Sequence, residues 1–257
     1  MSMASIDLRI DATDRVAWIV LNNPARANAI SASMWTSLAE TVTSLRDRGD
    51  VQTLCIVGDG AHFSSGAEIS ELHRVLFSGE NLIPAATDAL EAFPKPTIAI
   101  IRGNCIGGGW ELASACDLRI AATSANIAIT PARLGVVYPA TGVRRLVEIV
   151  GRPRARQLLY TGRHLPAPEA AAYGLLSDVV DDDELDAVVA RLLATLRSRS
   201  QLSIMAAKDL IASADDPRTA AERHATWNEL SATSGEVAEG QQAFFEQRAP
   251  RFPWSPS

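Results

Sequence analysis

Short apolar runs alternate with amphipathic ones through the first half of the chain. Residues 16–21 (VAWIVL) predict a strand, closed by the turn Asn22-Asn23-Pro24. Ser31 stands where it would cap a helix, and Trp35, Leu38, Val42 and Leu45 follow at the spacing of one apolar stripe. Residues 54–57 predict a buried strand that ends in Gly58-Asp59-Gly60, and residues 97–101 another, entered through Pro94-Lys95-Pro96. A triple glycine at 107–109 runs into a helical pattern over 110–115, and residues 118–121 predict one more short strand. After about residue 141 the texture turns helical, with breaks at Gly151-Arg152-Pro153, Thr161-Gly162 and Tyr173-Gly174. Asp181-Asp182-Asp183 precedes Leu185, Val188, Val189 and Leu192, which reads as an acidic helix start. The expected architecture is an α/β core followed by a helical C-terminal third, with no repeat and no long linker.

Composition narrows the class. The chain has 257 residues, 47% of them apolar and 21% charged, which is globular and too apolar for disorder. Its formal charge of −6 and lack of a basic block argue against a nucleic-acid partner. The most apolar stretch, residues 97–122, is broken by Arg102, Glu111 and Asp117, so no membrane span is expected. Residues 1–10 lack the pattern of a signal peptide. Cys55, Cys105 and Cys116 fit buried thiols in a reducing compartment, and a cytoplasmic location is expected. His62, His73, His164 and His224 have no partners at metal-site spacing, so no metal is expected. The G-x-S-x-G elbow, the Walker loop and the G-x-G-x-x-G fingerprint are all absent.

Two glycine-bearing segments remain, Phe63-Ser64-Ser65-Gly66-Ala67-Glu68 and Gly103-Asn104-Cys105-Ile106-Gly107-Gly108-Gly109-Trp110-Glu111, each joining a strand to a helical pattern. Free amides at such junctions favour negative charge, and two of them aimed at one point would form an oxyanion hole. The same glycines would also suit plain strand-to-helix packing.

These two segments, with Pro24-Ala25-Arg26-Ala27-Asn28-Ala29-Ile30, Lys95-Pro96-Thr97-Ile98-Ala99, Cys116-Asp117, Thr161-Gly162 and Ala243-Phe244-Phe245-Glu246-Gln247-Arg248, resemble the crotonase (enoyl-CoA hydratase/isomerase) superfamily, in order from about residue 16 to 252. The resemblance implies a spiral of ββα units over residues 1–195 with the acyl-CoA site. It implies a helical oligomerisation region over 196–257 that builds trimers or dimers of trimers. The implied ligand is an acyl-CoA thioester, with coenzyme A as part of the substrate and no separate cofactor. Carried over, the amides of Ala67 and Gly108 would form the oxyanion hole and Glu111 would carry the proton. Backbone around Arg26, Ala27 and Asn28, with Ser65, would line the CoA site. Phe244, Arg248 and Arg251 resemble a tail that reaches CoA from a neighbouring subunit, although Gln247 stands where the family usually has Lys.

One departure bears on the reaction. Hydratases of the family carry a second glutamate after a proline, and Ala132 follows Pro131 here, with no Asp or Glu between residues 125 and 147. The segment Thr130-Pro131-Ala132-Arg133-Leu134-Gly135-Val136-Val137-Tyr138 resembles methylmalonyl-CoA decarboxylase-like members, in which the tyrosine reaches the acyl pocket. That branch has a histidine where this chain has Ala67, and Tyr138 could equally be a packing aromatic. Three readings follow: proton transfer on an enoyl-CoA through Glu111 with Tyr138, decarboxylation of a malonyl-CoA-type thioester, or a non-catalytic scaffold that binds acyl-CoA.

Overall fold

The computed structural model describes residues 4–255; residues 1–3 and 256–257, the two ends of the expected regions, lie outside the described residues. The elements run β1 (Ser5–Asp11), β2 (Val16–Asn22), α1 (Ala32–Leu45), β3 (Thr53–Gly58), α2 (Leu72–Phe77), α3 (Leu82–Glu91), β4 (Thr97–Ile101), β5 (Asn104–Ile106), α4 (Gly108–Ser114), β6 (Leu118–Ala122) and β7 (Asn126–Ala128). They continue with α5 (Pro131–Leu134), α6 (Ala140–Thr161), β8 (His164–Pro166), α7 (Ala167–Ala172), β9 (Asp178–Val180), α8 (Leu185–Arg197), α9 (Gln201–Ala212), α10 (Pro217–Thr233) and α11 (Glu236–Phe245).

A main sheet of order β1-β2-β3-β4-β6-β9 is parallel except for its β1–β2 edge, and a small sheet of order β5-β7-β8 lies beside it. Side-chain alternation along a strand decides which layer each residue joins. In β2, Ala17, Ile19 and Leu21 enter the main core with Trp35, Leu38 and Leu45 of α1. Val16 and Trp18 face the other way, toward Leu185 and Val189 of α8. Both faces of the parallel strands are therefore covered, which explains their almost unbroken apolar sequence. Helix α1 starts where expected: Ser31 Oγ accepts the Met34 amide at 3.2 Å.

Two local points differ from the expectation. Strand β1 was not foreseen because four charged or polar residues, Ser5, Asp7, Arg9 and Asp11, alternate along an exposed edge. The expected break at Gly151-Arg152-Pro153 is present: Gly151 adopts the non-helical φ 73° and ψ 161°, so the 140–161 run is two helices joined at a kink. The acidic run caps no helix, since α8 starts after Glu184 without a side-chain cap. Asp182 instead accepts bonds from the Ser124 amide and hydroxyl, pinning the loop between β6 and β7.

The C-terminal helices α9 and α11 leave Ile211, Val237, Phe244 and Phe245 exposed. Helix α10 buries no residue fully. It is held to α9 through Asp209, which accepts Trp227 Nε1 at 2.9 Å and pairs with Arg223 at 2.5 Å. Among the described residues, no helix is long and apolar enough to cross a membrane.

Candidate active site

The two glycine-bearing segments meet at the small sheet. Ser64 bridges to Cys105 of β5: its amide donates to Asn104 O at 2.8 Å, and its carbonyl accepts the Ile106 amide at 3.0 Å. Three residues beyond Ser64, Ala67 bridges to Ile30, which donates to Gly66 O (2.8 Å) and accepts from Glu68 N (2.9 Å). That parallel pattern uses the groups on either side of Ala67 and leaves its own amide out of the ladder. The Gly108 amide is free for a different reason, since it is the first residue of α4 and has no intrahelical acceptor. Among the described residues, neither amide donates to a protein acceptor.

The two amides lie close together. A β-carbon built on Gly108 would sit 3.0 Å from Ala67 N, and one on Gly66 would sit 3.1 Å from Gly108 N and 2.8 Å from Ile106 O. Only glycine fits this approach, and Gly66 also holds φ at 103°.

Ala67 and Gly108 both line one pocket, with about 560 Å³ of empty space including its mouth. Ile69, Leu72, Leu76 and Ile83 form one wall and Leu134, Val136 and Val137 another. Within the first wall, Leu72 and Leu76 come from α2 and Ile83 from α3. Glu111 is the one acidic side chain in the lining.

Glu111 projects from the first turn of α4 and is 1% exposed. Its Oε1 pairs with the buried Arg145 guanidinium of α6, while its Oε2 is buried without a hydrogen-bond partner among the described residues. The carboxylate fills the space above Gly142, where a β-carbon would lie 2.5 Å from its carboxyl carbon. Burial raises the Glu111 carboxyl above its ordinary value, against the pull of Arg145 and Tyr138 toward the charged form. Tyr138, between α5 and α6, lines the same pocket with a buried hydroxyl that also lacks a partner. Burial and the nearby Glu111 charge hold its phenol well above the usual tyrosine value.

The other expected site residues divide. Ser65 lines the pocket and donates from Oγ to Arg26 O at 3.0 Å. Ala27 and Asn28 take left-handed backbone, with φ of 47° and 56°. The buried Asn28 amide ties down two loop carbonyls, Asp59 O at 2.9 Å and His62 O at 2.6 Å, so its side chain works as scaffold. Arg26 pairs with Glu68 at 2.6 Å and lines a neighbouring hollow with Pro24 and Ala25. Phe244 is exposed, Arg248 pairs with Glu239 and Glu246, and neither lines the pocket. Ala132 is exposed on α5, outside a lining that includes its neighbour Pro131.

Sequence reasoning missed Arg145 and Gly142. Only the fold shows why they matter: Gly142, Arg145, Leu146 and Val150 are all buried at helical spacing, which puts a cation on an apolar stripe. No group of three or more His, Cys, Asp or Glu side chains able to hold a metal exists among the described residues.

The enoyl-CoA hydratase/isomerase family model matches residues 11–254. The chain belongs to the enoyl-CoA hydratase/isomerase family. A crotonyl-CoA hydratase of Syntrophomonas wolfei is 30% identical, over 97% of this chain and 99% of that protein. A peroxisomal Δ(3,5)-Δ(2,4)-dienoyl-CoA isomerase of Arabidopsis thaliana is also 30% identical, over 95% of each chain. The crystal structure of an enoyl-CoA hydratase from Bacillus anthracis superposes with a TM-score of 0.89, at 30% identity over 96% of this chain and 98% of that one. The crotonase-type α/β fold and an enzyme of this family are thereby established, and neither the decarboxylase nor the non-catalytic reading is favoured. A hydratase and an isomerase match equally well, so overall identity does not choose between their reactions.

Proposed function

We propose that this enoyl-CoA hydratase/isomerase family member shifts the double bond of an enoyl-CoA thioester, with Glu111 as the proton carrier. The observation that carries the choice is the pocket lining: it holds one carboxylate, Glu111, together with Ala67 and Gly108, whose amides have no protein acceptor among the described residues. Abstraction of a proton from Cα leaves a dienolate whose charge falls on the thioester oxygen. The amides of Ala67 and Gly108 would hold that oxygen, and fixed dipoles in a dry site stabilise developing charge without reorganising. The same carboxyl then returns the proton to Cγ, so one carboxylate completes the cycle and no water is consumed. Hydration asks for a water held and activated from a second side, and Ala132 offers no carboxylate there.

Tyr138 serves in this reading as a neutral neighbour of Glu111, since its raised phenol keeps its proton. The CoA moiety would run past Ser65 and the backbone of Arg26, Ala27 and Asn28. Phe244 and Arg248 of a second copy would close over it in a trimer or a dimer of trimers. A test supplies a short 3-enoyl-CoA and a short 2-enoyl-CoA separately. The reading expects conjugated thioester to form from the first, with Glu111→Gln abolishing that conversion. Efficient hydration of the second with no isomerisation of the first would overturn it.

A further inference from the structure

Arg145 is not a passive partner of Glu111. Its guanidinium is 4% exposed and bonded on three sides: to Glu111 Oε1 of α4, to Glu91 Oε2 of α3 at 2.9 Å, and to Ser114 Oγ of α4 at 3.4 Å. Asp88 of α3 stands 4.0 Å from it. A planar guanidinium fixed in this way cannot swing, so it sets the orientation of the carboxylate it binds. Gly142, three residues before it on the same helix, provides the gap in which that carboxylate lies. One helix thus supplies both the space and the clamp.

We propose that Arg145 is a positioning residue for proton transfer: it occupies Oε1, keeps Glu111 ionised in a buried pocket, and leaves Oε2 as the single oxygen that takes and returns the proton. This rests on the proposed role of Glu111 and adds to it a reason why one carboxylate serves two carbons. With Oε1 bound to the clamp, the proton leaves Cα and reaches Cγ through the same atom, on the same face of the substrate. The charged and titratable groups around Glu111 are Arg145 from α6, Tyr138 from the segment before it, and Asp88 from α3. Arg145 is the one cation in that set. Removing it leaves burial and Asp88 against the carboxylate with only the Tyr138 phenol on its side, and the ionised form loses its main support.

The test compares Arg145→Met and Arg145→Lys with the parent enzyme in 3-enoyl-CoA isomerisation across pH. Arg145→Met is expected to lose about 100-fold in kcat/KM at neutral pH. Its acid limb should move upward by about 1 to 3 pH units, so that part of the loss returns in alkaline buffer. Arg145→Lys keeps a cation but not the three-way geometry, so its limb stays near that of the parent while kcat falls by about 10-fold. An equal loss at every pH in Arg145→Met, with the limb unmoved, marks a merely structural residue and overturns the proposal. If that variant does not fold, infrared difference spectra of parent against Glu111→Gln read the charge of Glu111 directly. A carboxylate band is expected at working pH, and a protonated carboxyl band there overturns the proposal. Loss of turnover in Glu111→Gln with an unmoved limb in Arg145→Met sinks only the role of Arg145. Retained turnover in Glu111→Gln sinks the underlying reading of the site.

Discussion

Gly142 leaves empty the space that the Glu111 carboxylate occupies: a β-carbon at Gly142 would lie 2.5 Å from the carboxyl carbon of Glu111. The contact joins α6 to α4 at the point where the family's chemistry is expected. Because the obstructed group is the end of a side chain and not backbone, substitution there should move the carboxylate before it disturbs the fold.

Gly142→Ala therefore separates folding from turnover. Alanine favours a helix over glycine by about 1 kcal/mol, which offsets the crowding. The variant should keep its circular dichroism and melt within a few degrees of the parent, while kcat/KM falls about 100-fold through displacement of Oε2. Full activity would mean that the observed position of Glu111 is not the working one.

Glu111→Gln keeps the shape of the side chain and removes the charge. Turnover should fall by about 100-fold to 10,000-fold, the usual contribution of a positioned acid–base group. Acyl-CoA binding, followed by calorimetry, should persist because the amides of Ala67 and Gly108 are untouched. Unchanged turnover would remove Glu111 from the mechanism.

The pH dependence follows from the direction of the Glu111 shift. Burial raises the carboxyl above its ordinary value of 4.5, and the proton-accepting form is the ionised one. Below the raised value the group is protonated and idle, so kcat/KM should climb with pH along an acid limb that lies above 4.5. The Tyr138 phenol sits well above the ordinary value of 10.0 and adds no alkaline limb below that pH. A limb at or below 4.5 in a pH–rate profile would contradict the burial of the working carboxylate.

Tyr138→Phe removes a neighbour that favours the ionised form of Glu111. The acid limb of this variant should move further up, with a smaller displacement than in Arg145→Met. A downward move would show that the phenol opposes the charge of Glu111 instead of supporting it.

Much of this architecture is legible in the sequence, for identifiable reasons. Strands over 16–22, 53–58 and 97–101 are apolar on both faces because both faces are covered, and Ser31 announces α1 by its capping chemistry. Glycines at two strand-to-helix junctions pointed to free amides, the family resemblance assigned these to Ala67 and Gly108, and the structure brings the two junctions side by side. Strand β1 was invisible because an exposed edge needs little apolar surface. Arg145 was passed over because, without the fold, one arginine beside Arg144 gives no sign that it alone is buried; Arg144 instead reaches Glu91 and Glu148 at the surface. The acidic run at 181–183 does precede a helix, α8, but its Asp182 binds a loop from a distant part of the chain instead of capping that helix.

The central claim is that two backbone amides hold a thioester oxygen while Glu111 Oε2 faces the carbons that exchange the proton. A crystal structure of Glu111→Gln with a short 3-enoyl-CoA tests it most directly. The account predicts the thioester oxygen within about 3 Å of both Ala67 N and Gly108 N, with Cα and Cγ turned toward the side-chain end of residue 111. A thioester oxygen bound away from those two amides, or an acyl chain that turns its α carbon away from residue 111, would contradict it.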